Sequence, residues 1–184
     1  MALLAEGILK LHWDQTIPVN LAHIVKSMGV ALKLHDGLRS SACLRISHNN
    51  RAYLLLSRSL LNMYQRYAVA HALGHVALHH LRPGMQRDIH VSRDFRVDFT
   101  QAHNLEANEF ALRLLMPDAA LRYAVEHMRA NTMEELEHVF AAPAVLLQQR
   151  LMDLDLSLPR SASHAVHHRR QRKHTAAIQD ITSA

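Results

Sequence analysis

The longest uninterrupted helical pattern in the chain covers residues 60–81, and it places two histidines one turn apart. This stretch contains no proline and a single glycine, Gly74, and the segment 82–84 ends it. Because an α-helix has about 3.6 residues per turn, His71 and His75 lie on one face, where both imidazoles can reach a single metal ion. His79 continues that face, but roughly 12 Å from His71 along the helix axis. A glycine inside a helix costs about 1 kcal/mol relative to alanine, so Gly74 indicates a closely packed backbone neighbour.

The remaining pattern indicates an α+β fold with a small sheet near the N-terminus. Helical spacing covers residues 3–13, and a second helix is expected from a first turn at Pro18 to Met28, with Gly29 as its stop. Apolar or alternating runs predict strands at 30–35, 42–46 and 52–56, the last two joined as a hairpin.

The second half of the chain is predicted to be helical after an irregular connection. Residues 85–98 lack clear periodicity, and a strong helix follows at 100–116. Three shorter helices are expected to begin at Asp118 as a cap residue, at Thr132 with Glu135 in a capping box, and at Pro143.

Composition favours a cytoplasmic protein that is not embedded in a membrane. The single cysteine, Cys43, excludes an intrachain disulfide and is interpreted as a buried apolar filler rather than a reactive thiol. No run approaches the roughly 18 apolar residues of a membrane helix. The first residues carry an acid and no basic start, so no signal peptide is expected there.

Most of the net positive charge lies in the last 28 residues. Segment 157–184 contains five basic residues against one acid, whereas the whole chain carries +5, so the part before it is nearly neutral. We expect a domain over 1–156 and a basic, histidine-rich, disordered tail over 157–184. The tail's basic cluster could contact phosphates non-specifically through four residues: Arg169, Arg170, Arg172 and Lys173.

Two segments together resemble the ImmA/IrrE family of zinc metallopeptidases. Residues 65–80, QRYAVAHALGHVALHH, are similar to the family pattern QRFxxAHExGH, and residues 104–117, NLEANEFALRLLMP, are similar to ExxANxFAxxLLMP. The resemblance implies a minimal zincin-like domain with a small N-terminal sheet, its metal-site helix packed against the 100–116 helix. It also implies a C-terminal helical extension over 133–156.

The resemblance assigns site residues one by one, and two positions depart from it. His71 and His75 match the two histidine ligands, but Ala72 stands where the family has the glutamate that acts as general base. Asn104 stands where the family has its third, glutamate ligand. Asn108 lies one turn later and could orient a ligand histidine. Zinc is therefore expected to bind weakly or not at all.

Other side chains could replace the missing ligand. Glu106 is rotated by about 200° from Asn104 on a helix, so we interpret it as a surface acid, with ligation as the alternative. His103 could supply a third nitrogen. Three acidic residues of the irregular connection could also approach the site, but their spacing along the chain gives no reason to choose any of them: Asp88, Asp94 and Asp98.

The absence of the family's two glutamates, at residues 72 and 104, favours a protein that binds its partner over one that cleaves it. Members of the resembled family act on DNA-binding repressors, often in prophages or other mobile elements. The resemblance thus predicts a pseudoenzyme that regulates transcription by antagonising a helix-turn-helix repressor or another protein. The alternatives are an active zinc endopeptidase that cleaves such a repressor, with Ala72 engineered or another base used, and a nucleic-acid binder that acts through the tail.

Deleting residues 157–184 is expected to leave cooperative unfolding intact and to remove most non-specific DNA affinity, because the remaining chain is nearly neutral. Thermal unfolding and DNA titrations at two salt concentrations measure both effects. A truncated chain that binds DNA as tightly as the full chain would reveal a nucleic-acid surface in residues 1–156.

Overall fold

The computed structural model describes residues 2–49, 51–81, 88–92, 102–128 and 130–158. Within them, the helices are α1 (Ala2–His12), α2 (Leu21–Ser27), α3 (Asn62–Ala77), α4 (Ala102–Leu115), α5 (Asp118–Glu126), α6 (Met133–Phe140) and α7 (Ala144–Asp153). The strands are β1 (Ala31–His35), β2 (Ala42–Ile46), β3 (Ala52–Ser57) and β4 (Ile89–Val91). The predicted α+β fold is confirmed, and no helix in these ranges is long and apolar enough to cross a membrane.

The sheet is mixed, with the strand order β1-β3-β2-β4. Strands β2 and β3 form the predicted antiparallel hairpin, and β1 runs parallel to β3 at one edge. Side chains alternate between the two faces of a strand, so Ala42 and Leu44 face the core with Leu54 and Leu56. Cys43 therefore projects to the opposite, outer face.

Strand β4 was not predicted, since residues 85–98 were expected to form an irregular connection. Ile89–Val91 pairs antiparallel with β2, which places Val91 opposite Ala42. A three-residue strand is too short to show a period of two. Its strand character comes from pairing with the exposed edge of β2 rather than from its own sequence.

Helices α3 and α4 pack against each other with their backbones unusually close. A Cβ atom added to Gly74 would lie 3.0 Å from both the Cα and the carbonyl oxygen of Ala107, and 3.1 Å from Phe110 Cδ1. The backbone neighbour predicted from Gly74 is thus confirmed. Ala107 and Ala111 are fully buried, as the small-residue stripe on α4 requires.

Helix α3 ends at Ala77, whereas the sequence predicted that this helix would continue to the segment 82–84. His79 adopts a left-handed conformation with φ of 55°, and its N–H donates to the Val76 carbonyl while the His80 N–H donates to the His75 carbonyl. These two bonds form a Schellman motif, which normally has glycine at the left-handed position. The prediction that His79 continues the histidine face is therefore wrong, and His80 folds back over the helix instead.

Two predicted helix starts also need correction. Pro18 follows a cis peptide bond and precedes α2, whose N-cap is Asn20, with its side chain accepting from the His23 N–H at 3.2 Å. Pro117, not Asp118, occupies the N-cap of α5. The Asp118 carboxylate instead accepts a hydrogen bond from Arg150 of α7.

The C-terminal helices pack against α4 and α5. The predicted capping box is confirmed, with the Glu135 N–H donating to Thr132 Oγ1 at 3.2 Å and the Glu135 carboxylate accepting from the Thr132 N–H at 3.1 Å. Arg150 is only 1% exposed, and its Nε donates to the Met116 carbonyl at 3.2 Å. This arginine ties α7 to the junction of α4 and α5.

Gly74→Ala is expected to destabilise the fold by up to about 2 kcal/mol, because overpacking costs about 1–3 kcal/mol and the gain in helix propensity recovers only about 1 kcal/mol. Gly7→Ala in α1 is the matched control, since a Cβ there meets no atom within 4 Å. Gly7→Ala should stabilise by up to about 1 kcal/mol. Urea unfolding measures both variants, and a Gly74→Ala that stabilises the fold as much as Gly7→Ala would contradict the close packing.

Candidate active site: a buried imidazole network

The face of α3 that meets α4 carries both histidines of the metal-site spacing. His71 is 5% exposed and His75 is 1% exposed. The close approach at Gly74, which lies between them along α3, brings the Asn108 side chain of α4 within hydrogen-bond distance of His71.

Asn108 fixes the orientation of the His71 ring. His71 Nδ1 lies 2.7 Å from Asn108 Oδ1, which also accepts a hydrogen bond from the Tyr67 hydroxyl. Because an amide oxygen only accepts, His71 carries its proton on Nδ1. Its Nε2 atom is therefore bare and available as an acceptor or a ligand.

His75 connects His71 to a third imidazole. His75 Nε2 lies 3.0 Å from His71 Nε2, and His75 Nδ1 lies 2.9 Å from Nδ1 of His80. Because His71 Nε2 accepts, His75 Nε2 donates and His75 Nδ1 accepts from His80. The Asn104 side chain raises the His75 pKa, against the larger effect of burial. In each hydrogen bond between two rings the donor is therefore defined, because Asn108 determines which nitrogen of His71 carries the proton.

The network ends at a carboxylate near the surface. His80 Nε2 lies 2.9 Å from Glu106 Oε2, whose side chain is 35% exposed. With His80 Nδ1 already donating to His75, this last contact requires a second proton on the His80 ring, whose pKa burial lowers. A neutral His80 therefore donates to His75 or to Glu106, but not to both.

The inner histidines are neutral. Burial lowers the pKa of His71 to about 4, opposed by its hydrogen bond to Asn108. Burial lowers the pKa of His75 to about 3, with the neighbouring histidines adding to the effect. Neutral imidazole is the form in which histidine binds a metal ion. The interior of the network thus offers two nitrogen donors and no charge.

Glu106 and His103, the two alternative ligands, both lie at the outer end of the network. Glu106, interpreted as a surface acid, is partly exposed, and its carboxylate also lies within hydrogen-bond distance of His80. His103 stacks on the same ring, with centroids 4.3 Å apart and an interplanar angle of 20°. Both side chains are positioned by His80.

Two members of the network were missed by the sequence reasoning. Tyr67 stands four residues before His71, so the same helical spacing that identified His75 could have identified it. Nothing in the local sequence indicates His80, because its position depends on a histidine adopting a left-handed backbone at residue 79.

The general-base position holds a methyl group. Ala72 is 1% exposed and belongs to the buried core. It offers no proton acceptor beside His71 and His75, so the activation of a water molecule by a group at this position is not available.

The donor set does not fit a catalytic zinc ion. His71 and His75 supply neutral nitrogens, and Asn104 supplies a neutral amide, so no anionic ligand offsets a dication. Among the described residues, the group of three or more His, Cys, Asp and Glu side chains whose ligand atoms all lie within 4.8 Å of one another is elsewhere in the fold. Asp94 and Asp98 lie outside the described residues, as do the four basic residues of the tail.

Asn104→Glu is expected to raise zinc content from substoichiometric to near one equivalent per chain, because it adds an anionic ligand beside His75. Ala72→Glu is the matched control, since it adds a carboxylate of the same charge at the general-base position and should raise zinc content less. Metal analysis of tag-free, dialysed protein measures both. Unchanged zinc in Asn104→Glu would show that position 104 is not a ligand position.

Comparison with known proteins agrees with the resemblance seen in the sequence. No curated protein matches the chain. A family model described as the IrrE N-terminal-like domain, Peptidase_M78, matches residues 25–152. That match begins in α2, includes the imidazole network and ends in α7, and so spans more than half of the chain. The chain therefore belongs to the Peptidase_M78 family of IrrE N-terminal-like, metallopeptidase-like domains.

Proposed function

We propose that this chain is a cytoplasmic regulator that binds a helix-turn-helix repressor, or another protein, and antagonises it without efficient proteolysis. The observation that carries the proposal is Ala72, a buried methyl group at the general-base position of a metallopeptidase-like fold. Loss of general-base catalysis typically slows a reaction by about 10² to 10⁴-fold. A chain with alanine at this position retains the metallopeptidase-like fold and loses most of the catalytic activity.

The hydrogen bonding of the histidines supports binding without metal-dependent cleavage. Asn108 lies within hydrogen-bond distance of His71, and His80 within that distance of His75, so the protein itself supplies partners for these buried rings. A buried polar group without a partner costs about 1–3 kcal/mol. With those partners in place, the fold does not need an ion to satisfy its metal-site residues.

The enzyme alternative requires another base, and the network contains a single carboxylate candidate. Glu106 is bound to His80, whose ring lies between Glu106 and His75. For Glu106 to act at the paired Nε2 atoms, the His80–Glu106 contact has to break. This requirement makes an active endopeptidase the second choice.

The choice of a repressor as the partner rests on the family. Members of the ImmA/IrrE family act on DNA-binding repressors, and this chain retains the fold over residues 25–152. A direct role in nucleic-acid binding depends on the tail residues, which lie outside the described part of the chain. A role in a prophage or another mobile element follows from the same family argument.

The proposal is tested with the helix-turn-helix repressors encoded in the genome that carries this chain. Each is screened against the chain in a two-hybrid assay, and the interacting repressor is purified on its operator DNA. Addition of the purified chain is expected to release the operator while intact-mass spectrometry finds the repressor at full length. Ala72→Gly, which also lacks a base, should release the operator equally well.

Two results would contradict the proposal, and they can be told apart. Repressor fragments that appear with the zinc-loaded chain and disappear with a chelator would establish the endopeptidase instead. A chain that interacts with none of these repressors, and leaves every operator occupied, would overturn the repressor as the partner.

A further inference from the structure

The outer face of the sheet carries a second group of metal-ligand residues, separate from the imidazole network. Cys43, Asp88 and His90 each offer a ligand atom, and these three atoms lie within 4.8 Å of one another. Cys43 is on β2, His90 is on β4, and Asp88 immediately precedes β4. The sequence resemblance assigned no role to Cys43 or His90, and Asp88 was considered only as an acid without a spacing argument.

The strand register holds this group together. Cys43 and His90 are directly paired across the antiparallel β2–β4 ladder, where opposed Cβ atoms lie about 4.5–5.5 Å apart. Asp88 is two residues before His90, so it projects to the same face of the sheet. Val91 and Leu44, whose side chains point the other way, anchor the pair of strands in the core. The three ligands are thus placed by regular secondary structure.

We propose that Cys43, Asp88 and His90 form a binding site for a zinc-like divalent cation. Thiolate sulfur, imidazole nitrogen and carboxylate oxygen are the three donor types that zinc takes in proteins. A thiolate and a carboxylate together offset the charge of a dication, which the neutral donors around His71 and His75 do not.

Small movements of the three side chains complete a tetrahedral geometry. Tetrahedral zinc places its ligand atoms roughly 3.4–3.8 Å apart, so ligand atoms within 4.8 Å of one another have to close by at most about 1.4 Å. His90 is exposed, with its Nδ1 3.4 Å from Ser40 Oγ, whereas Cys43 is 6% exposed and lies within strand β2. On binding, the Cys43 S–H bond breaks, its proton passes to solvent, and the sulfur lone pair forms the metal bond. The fourth position is left to water on the exposed side.

Arg45 acts as a positioning residue for Asp88. Its Nε and Nη2 atoms donate to the two carboxylate oxygens at 2.8 and 2.6 Å. Each carboxylate oxygen has a second lone pair, so the arginine orients Asp88 and leaves it able to bind a cation. Metal-ligating carboxylates commonly have such hydrogen-bonded support.

Cobalt titration of the full-length, tag-free chain tests the site, because Cys43 is the only cysteine. A thiolate bound to Co²⁺ gives near-ultraviolet charge-transfer absorption, which cobalt held by histidines alone does not give. The band is expected to saturate at one equivalent and to be removed by excess Zn²⁺. Cys43→Ser should abolish the band. His90→Ala should weaken cobalt affinity by at least about tenfold, in the range seen for metal-site substitutions.

His48→Ala is the matched control, since His48 is an exposed histidine of the β2–β3 hairpin that is not among the three ligands. It should leave the band and the affinity unchanged. Cobalt binding without the band, or a band unaffected by His90→Ala, would overturn the proposal. Because the band reports Cys43 alone, this result is independent of any metal at His71 and His75.

Discussion

The close approach of α3 and α4 at Gly74 is the constraint on which the candidate site depends. A Cβ on residue 74 would lie 3.0 Å from the Ala107 backbone, so any side chain there would force the two helices apart by a few tenths of an ångström. That contact brings the Asn104 and Asn108 side chains of α4 against the histidines of α3. Without it, the polar rings would face an apolar core with no partners, and burial would destabilise the fold.

The network shows how a metal-site scaffold can persist without the charge of an ion. Two buried neutral imidazoles and the Asn108 amide satisfy one another, and the carboxylate that ends the network, Glu106, is partly exposed. Placing charge at the surface end is favourable, because desolvation penalises charge in the interior. The same arrangement explains why burial lowers the pKa values of His71 and His75 so strongly.

The two faces of the sheet differ in the charge of their donors. The core side leads to α3 and its neutral histidines, whereas the outer side carries Cys43, Asp88 and His90, with Arg45 paired to the carboxylate. The anionic ligands that are missing from the family's metal position are therefore present on the other side of β2. The chain can keep the family's fold while its metal ligands change, because the packing of the core and the binding of a metal ion depend on different side chains.

Local patterns in the sequence determined the β2–β3 hairpin, the helices around His71 and Phe110, the capping box at Thr132 and the close contact at Gly74. The first three depend on residues near one another in the chain, through periodicity and cap chemistry, whereas the contact at Gly74 was indicated by the cost of a glycine inside a helix. The tertiary structure alone decided the pairing of β4, the Arg150–Asp118 contact and the return of His80 to His75. These features join distant residues or depend on a non-glycine left-handed turn, and neither leaves a local periodic signal. Sequence therefore established the family and the two inner histidines, while the third imidazole, and the role of Glu106 beside it, emerged only from the packed fold.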